Sequence, residues 1–161
     1  MGTTTEPTAP RTGPPGLADW PAFLYYKSGW VMLELGEEAL QTVGLRFRHY
    51  MVLTMLQAGQ ELSQQDMAEA MSLDATLMVG LIDDLEQWGF VERRRNPEDR
   101  RRYVVLLTRK GRAKWKEAKA IIDREEDAFF APLSPEQRAL LGDIASRLMA
   151  PHWSSRAPCK D

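Results

Sequence analysis

A chain of 161 residues has room for one sizeable domain around one continuous core, and 43% hydrophobic with 27% charged residues is ordinary for a globular protein. No apolar stretch is long enough to cross a bilayer, the N-terminus lacks the basic-then-apolar layout of a secretory signal, and the single cysteine, Cys159, excludes an intrachain disulfide framework. These features point to the cytoplasm, and the net charge of −2 argues against nucleic acid only until its distribution is read. Eleven of the 21 Lys and Arg lie between Arg93 and Lys116, opposed there by Glu98 and Asp99 alone. Such clustering is the electrostatic footprint of a phosphate-binding surface.

Residues 1–18 are rich in proline, threonine and glycine, offer almost nothing to bury, and read as a disordered arm. A helix is expected from Asp19, as N-cap, with Pro21 in its first turn, to about Thr42. Its apolar residues, Trp20, Phe23, Leu24, Tyr25, Tyr26, Trp30, Val31, Leu33 and Leu35, wrap around more than one stripe. A helix apolar on several sides is buried on several sides, which in so short a chain implies a second subunit.

Three short helices follow. From Arg46 to about Ala58, Phe47, Tyr50, Leu53 and Leu56 fall on one face, and Gly59 ends the helix. Ser63 with Asp66 has the capping-box spacing, opening a helix with Met67, Ala68 and Met71 inward. Asp74 caps a third, running to Trp88, with Met78, Leu81, Ile82, Leu85 and Trp88 inward, and Gly89 closes it. Helix, tight turn and capped helix form a helix-turn-helix.

After Gly89 the period changes. Phe90–Glu92 and Tyr103–Leu107 read as short strands flanking the loop RRRNPEDRRR, whose Asn96-Pro97 is a turn signal. A basic loop between two strands after such a helix pair is a wing. From Thr108 a long helix is expected to about Phe130, with Trp115, Ala118, Ile121, Ile122 and Phe129 on one side, stopped by Pro132. Ser134, Pro135 and Gln137 form a capping box for a last helix with Leu140, Leu141, Ile144 and Leu148 inward. The fold class is mainly α with a small β-wing.

The run LEQWGFVERRRNPEDRRRYVVLLTRKGR, Leu85 to Arg112, resembles the MarR family of bacterial transcriptional regulators. It matches their Leu-Glu, Gly, apolar-Val, Arg, Asp-x-Arg wing and Leu-Thr-x-x-Gly in order, and the flanking helices agree by layout. The resemblance implies a homodimer with interleaved terminal helices and two winged lobes on a pseudo-palindromic double-stranded DNA operator. It also implies a repressor, released in many relatives by a small aromatic or phenolic ligand. The implied division is an arm over 1–18, one domain over 19–150 and a flexible tail over 151–161. Within the domain, 19–44 and 109–150 are dimerisation helices and 45–108 is the winged helix-turn-helix lobe.

Bases are read in the major groove by the outward face of a helix. Here that face carries Ala75, Thr76, Val79 and Gly80, with Asp83 beyond and Asp74 at the start. The commoner family pattern has a hydroxyl and a basic residue where Val79 and Gly80 stand. Either Thr76 bonds a base while Ala75 and Val79 touch thymine methyls, or specificity rests on DNA shape. Ser63, Gln64 and Gln65 open the preceding helix, where backbone N–H groups suit a phosphate; a simple cap is the alternative. In the wing, the resemblance makes Arg101 the minor-groove arginine, oriented by Asp99; Arg100 and Arg102 alternate with it, so some of them point elsewhere, to phosphates, and Arg95 is a further DNA-binding candidate. A solvated charge run is the plain alternative.

Family ligand pockets lie between the dimer helices and the lobe, which nominates Tyr25, Tyr26, Trp30, Phe47, His49 and Met51, each of which plain core packing would also explain. Peroxide-sensing relatives carry their cysteine in the first helix, where this chain has none. His49 and His152, the two histidines, form no spaced metal cluster with cysteine. No cofactor is expected, and no nucleophile–base set or phosphate-cradling glycine loop points to an enzyme. A winged-helix module for architecture or protein contacts, without operator specificity, is the other class to weigh.

Overall fold

A computed structural model describes residues 13–59, 62–95 and 103–152. The elements are α1 (Pro21–Gln41), α2 (Phe47–Gln57), α3 (Gln64–Ala70), α4 (Ala75–Gln87), β1 (Val91–Arg95), β2 (Tyr103–Leu107), α5 (Arg109–Phe129) and α6 (Pro135–Met149), then a 3₁₀ turn, Ala150–His152. Winged-helix architecture is present, mainly helical with one two-stranded sheet.

Local signals set most boundaries. Ser63 accepts from the Asp66 N–H while Asp66 takes the Ser63 N–H, and Ser134 with Gln137 repeats the arrangement at α6. Asp74 caps α4 through the Leu77 N–H at 2.8 Å. Gly89, at φ +74°, turns the chain out of α4 where a side chain would strain the backbone. At α1 the expectation is corrected: the N-cap is Trp20, with Pro21 as the first helical residue and no side-chain cap. β1 also runs further than local composition indicates, because Arg94 and Arg95 pair with Val104 and Tyr103 of β2. A paired strand partner outweighs weak β-propensity.

Leu40, Leu45, Val52, Leu53, Met67, Met78, Ile82, Leu85 and Val105 are fully buried and knit α2, α3, α4 and β2 together, with Ala118 and Ile122 of α5 underneath. Each large apolar side chain so buried contributes about 1.5–3 kcal/mol of transfer free energy. Gly111 fits where the start of α5 crosses the end of α4: a Cβ there would lie 1.9 Å from the Phe90 carbonyl oxygen. Thr108 completes the joint, accepting from the Gly111 N–H and donating to the Gly89 carbonyl. The Leu-Thr-x-x-Gly run is therefore a structural splice between wing and α5.

The terminal helices differ. α1 buries only Gly36 and Leu40, near its end, and α6 buries no residue. Of the residues expected inward, Leu141 is half-buried in the groove against α1 and α5, while Leu140, Ile144 and Leu148 are exposed, with no other described element across them.

Candidate nucleic-acid interface

The face of α4 carries the residues expected there. Ala75, Thr76, Val79, Gly80 and Asp83 are exposed, opposite the buried Met78, Leu81, Ile82 and Leu85. Asp74 is exposed but its carboxylate serves α4 as cap. At α3, Ser63 is buried and its hydroxyl donates to Asp66 Oδ2 at 2.7 Å, so the cap role is the one its geometry displays. Gln64 is half-buried, and exposed Gln65 bonds Glu69 one turn on.

The basic run divides into cations with different tasks. Arg93 turns back onto α4, its guanidinium bound by Asp83 and Glu86 while its N–H donates to Glu86 Oε1. Lys110 donates to the Trp88 carbonyl at 2.7 Å and closes the C-terminus of α4, and Arg112 donates to the Leu107 carbonyl. Lys114 pairs with Glu117. Exposed at the lobe surface are Arg94, which reaches Glu92, and Arg95, at the end of β1 opposite Tyr103. The wing-tip residues Asp99, Arg100, Arg101 and Arg102 lie outside the described residues. Proximity in sequence overstated the number of cations facing outward, because several satisfy carbonyls and carboxylates at the joints.

The six residues nominated for a ligand pocket are not brought together within one chain. Tyr25 lines an apolar groove of about 590 Å³ with Ser28, Gly29, Met32, Phe129 and Leu141, between α1, the end of α5 and α6. Tyr26 and Trp30 are exposed, with Lys27 3.4 Å from the Trp30 ring centre. Phe47 packs beneath Gly36, where a Cβ would clash at 2.6 Å, and Met51 is half-buried on α2.

His49 has a different task. Arg46 precedes α2 without an oxygen to cap it, so the Arg46 N–H donates to His49 Nδ1 and the Phe47 N–H to Glu37 Oε2 of α1, at 2.6 Å. With Nδ1 accepting, the neutral ring carries its hydrogen on Nε2, which faces Asp84 at 3.3 Å with poor hydrogen-bond alignment. The ring is 2% exposed and meets Trp88 edge-on at 4.9 Å. Burial lowers its pKa below the ordinary 6.5, and the Asp84 carboxylate only partly opposes this. Arg93, Glu37 and Thr108 are the positioning residues that spacing alone missed, since each acts across distant parts of the chain.

A helix-turn-helix, a two-stranded wing and long helices on either side define the class: a winged-helix DNA-binding protein. Known proteins narrow it. Residues 47–103 match the MarR family model. An uncharacterised HTH-type transcriptional regulator of Bacillus subtilis, YdgJ, is 29% identical over 140 residues, covering 76% of this chain and 85% of its own. A MarR family regulator from Rhodococcus sp. RHA1 superposes with TM-score 0.76 at 28% identity, over 88% of this chain and 100% of that one. CouR of Rhodococcus jostii RHA1, solved with p-coumaroyl-CoA, gives TM-score 0.75 at 30% identity, over 89% of this chain and 99% of CouR. The chain belongs to the MarR family and is a transcriptional regulator.

Proposed function

We propose that the protein is a homodimeric repressor that grips a pseudo-palindromic operator and lets go when a small aromatic ligand binds. The observation that carries this reading is the uncovered apolar surface of the terminal helices. Trp20, Tyr26, Leu140 and Leu148 each expose more than half of their surface. Apolar faces of this extent on two helices of one molecule mark an interaction surface, and a second copy supplies matching faces. Gly29 and Gly142, on α1 and α6, have nothing within 4 Å of where a Cβ would stand, leaving room for a helix to approach closely.

Dimerisation places two α4 helices and two wings on one side, one lobe per half-site. Arg101, oriented by Asp99, then enters the minor groove, while Arg95, Arg100, Arg102 and the α3 N-terminus around Gln64 and Gln65 meet phosphates. The apolar groove beside Tyr25 suits an aromatic effector, in keeping with the p-coumaroyl-CoA bound by CouR. Occupation there, between helices that join the subunits, would alter the spacing of the two lobes.

Titration of specific and random duplexes at moderate salt tests the reading. An operator-specific regulator holds its site about a thousandfold or more over random sequence, and its affinity falls steeply with salt as counterions are displaced. Equal affinity for both duplexes would favour the architectural module instead. Arg101→Ala is expected to weaken operator binding sharply while leaving the dimer intact.

A further inference from the structure

We infer that α4 reads its half-site by apolar contact with the 5-methyl groups of thymine, through Val79 and Ala75, and that Gly80 lets the helix backbone come close to the base edges. This rests on the operator reading above and specifies how that site selects its sequence.

Three observations converge. First, the acids of α4 and its cap are already engaged. Asp83 and Glu86 bind the Arg93 guanidinium, Asp84 turns to His49, and Asp74 caps the helix. An acid able to accept from cytosine N4 would have to release an arginine first, and α4 itself carries no Lys or Arg. Over the first two turns, the part of a recognition helix that reaches base edges, the exposed side chains are Ala75, Thr76, Val79 and Gly80. Thr76 alone of these has a polar atom.

Second, Val79 is left uncovered. Among the described residues of the lobe, Val79 and Tyr103 are the only large apolar side chains left exposed, Val79 at 42%. The lobe otherwise buries such residues efficiently, and the major groove offers one apolar partner, the thymine methyl.

Third, Gly80 is a mid-helix glycine with no internal reason to be one. A Cβ at this position would meet nothing within 4 Å. Glycine inside a helix is unfavourable relative to alanine, so the position is destabilising without any packing among the described residues that requires it. An external surface approaching the backbone accounts for the missing side chain.

Arg93 becomes a positioning residue. It fixes the acids of α4 to β1, holding the helix against the root of the wing and keeping negative charge off the reading face.

The test uses the full-length protein and a random duplex pool. Sequences retained by the protein are enriched, and thymines of the enriched half-site are replaced singly by uracil, removing only the methyl. We expect at least one position where this costs about fourfold in affinity, the equivalent of one buried methylene-sized group. We also expect Val79→Ala, a change at an exposed site, to lower affinity for the thymine duplex and to abolish the thymine–uracil difference there. Gly80→Ala is expected to raise the thermal midpoint by a few degrees while lowering operator affinity about tenfold. A half-site insensitive to uracil throughout, or a difference that survives in Val79→Ala, overturns methyl reading. Unchanged affinity in Gly80→Ala overturns the close approach. Failure to enrich any sequence instead overturns the operator reading on which the inference stands, and so separates the two.

Discussion

Within the winged lobe, the side chains that helical spacing turns inward are covered by the same chain: Met78, Ile82 and Leu85 of α4 are fully buried. The same spacing in α6 leaves Leu140 and Leu148 with 57% of their surface exposed. The local codes are equally good, since Ser134 caps α6 as cleanly as Ser63 caps α3. The regions differ in what surrounds them. The lobe holds four elements within reach of one another, whereas α6 meets α1 and α5 only along the Leu141 side and has no described element over Leu140 and Leu148. An amphipathic pattern identifies the face that needs a partner but not the molecule that supplies it.

The largest expected effect breaks this comparison at its open side. Leu140→Asp combined with Leu148→Asp should convert a dimer to a monomer by light scattering while the lobe stays folded by circular dichroism. Operator affinity should fall about a hundredfold or more as the two half-sites become independent. A dimer that persists in this variant would show that α6 faces elsewhere.

On the closed side, Gly111→Ala drives a methyl into the Phe90 carbonyl and should cost about 3 kcal/mol in urea unfolding. A loss below about 1 kcal/mol would mean that the α4–α5 joint adjusts freely. The contact between the two regions is tested by Glu37→Met, which removes the acceptor oxygens from the Phe47 N–H. About 1 kcal/mol of stability should be lost, read from the same unfolding curves. An unchanged midpoint would show that α1 and α2 are held by packing alone.

The smallest effect sharpens the same contact through pH. His49 is neutral in the fold and its pKa is lowered, chiefly by burial, so the unfolded chain takes up a proton more readily. Its contribution to stability is complete above about pH 6.5, the ordinary histidine value, and is lost as pH falls through the lower folded-state value. Protonation would also place a hydrogen on Nδ1, against the Arg46 N–H it now accepts. His49→Gln should flatten this part of the stability–pH curve; an unchanged slope would assign the dependence to another group.

The caps at Ser63, Asp74 and Ser134, the stop at Gly89 and the strand Tyr103–Leu107 were legible because each is fixed within a few residues of chain. The outward face of α4 was legible for the same reason, as helical period alone sorts Val79 from Met78. Asp19 misled because short polar residues before a proline resemble a cap, whereas the turn through Pro14 to Ala18 leads Trp20 into that position. The wing cations were legible as a cluster but not by task.

The sequence by itself determined the element order, most helix ends and the family, readable from neighbours a turn apart and from a motif in fixed order. Only the tertiary structure decided that Arg93 belongs to α4, that His49 and Glu37 together cap α2, and that Leu140 and Leu148 of α6 are covered by none of the described residues. Those outcomes depend on which groups meet after the chain has returned on itself, and buried N–H groups, carboxylates and apolar faces take the partner that space provides.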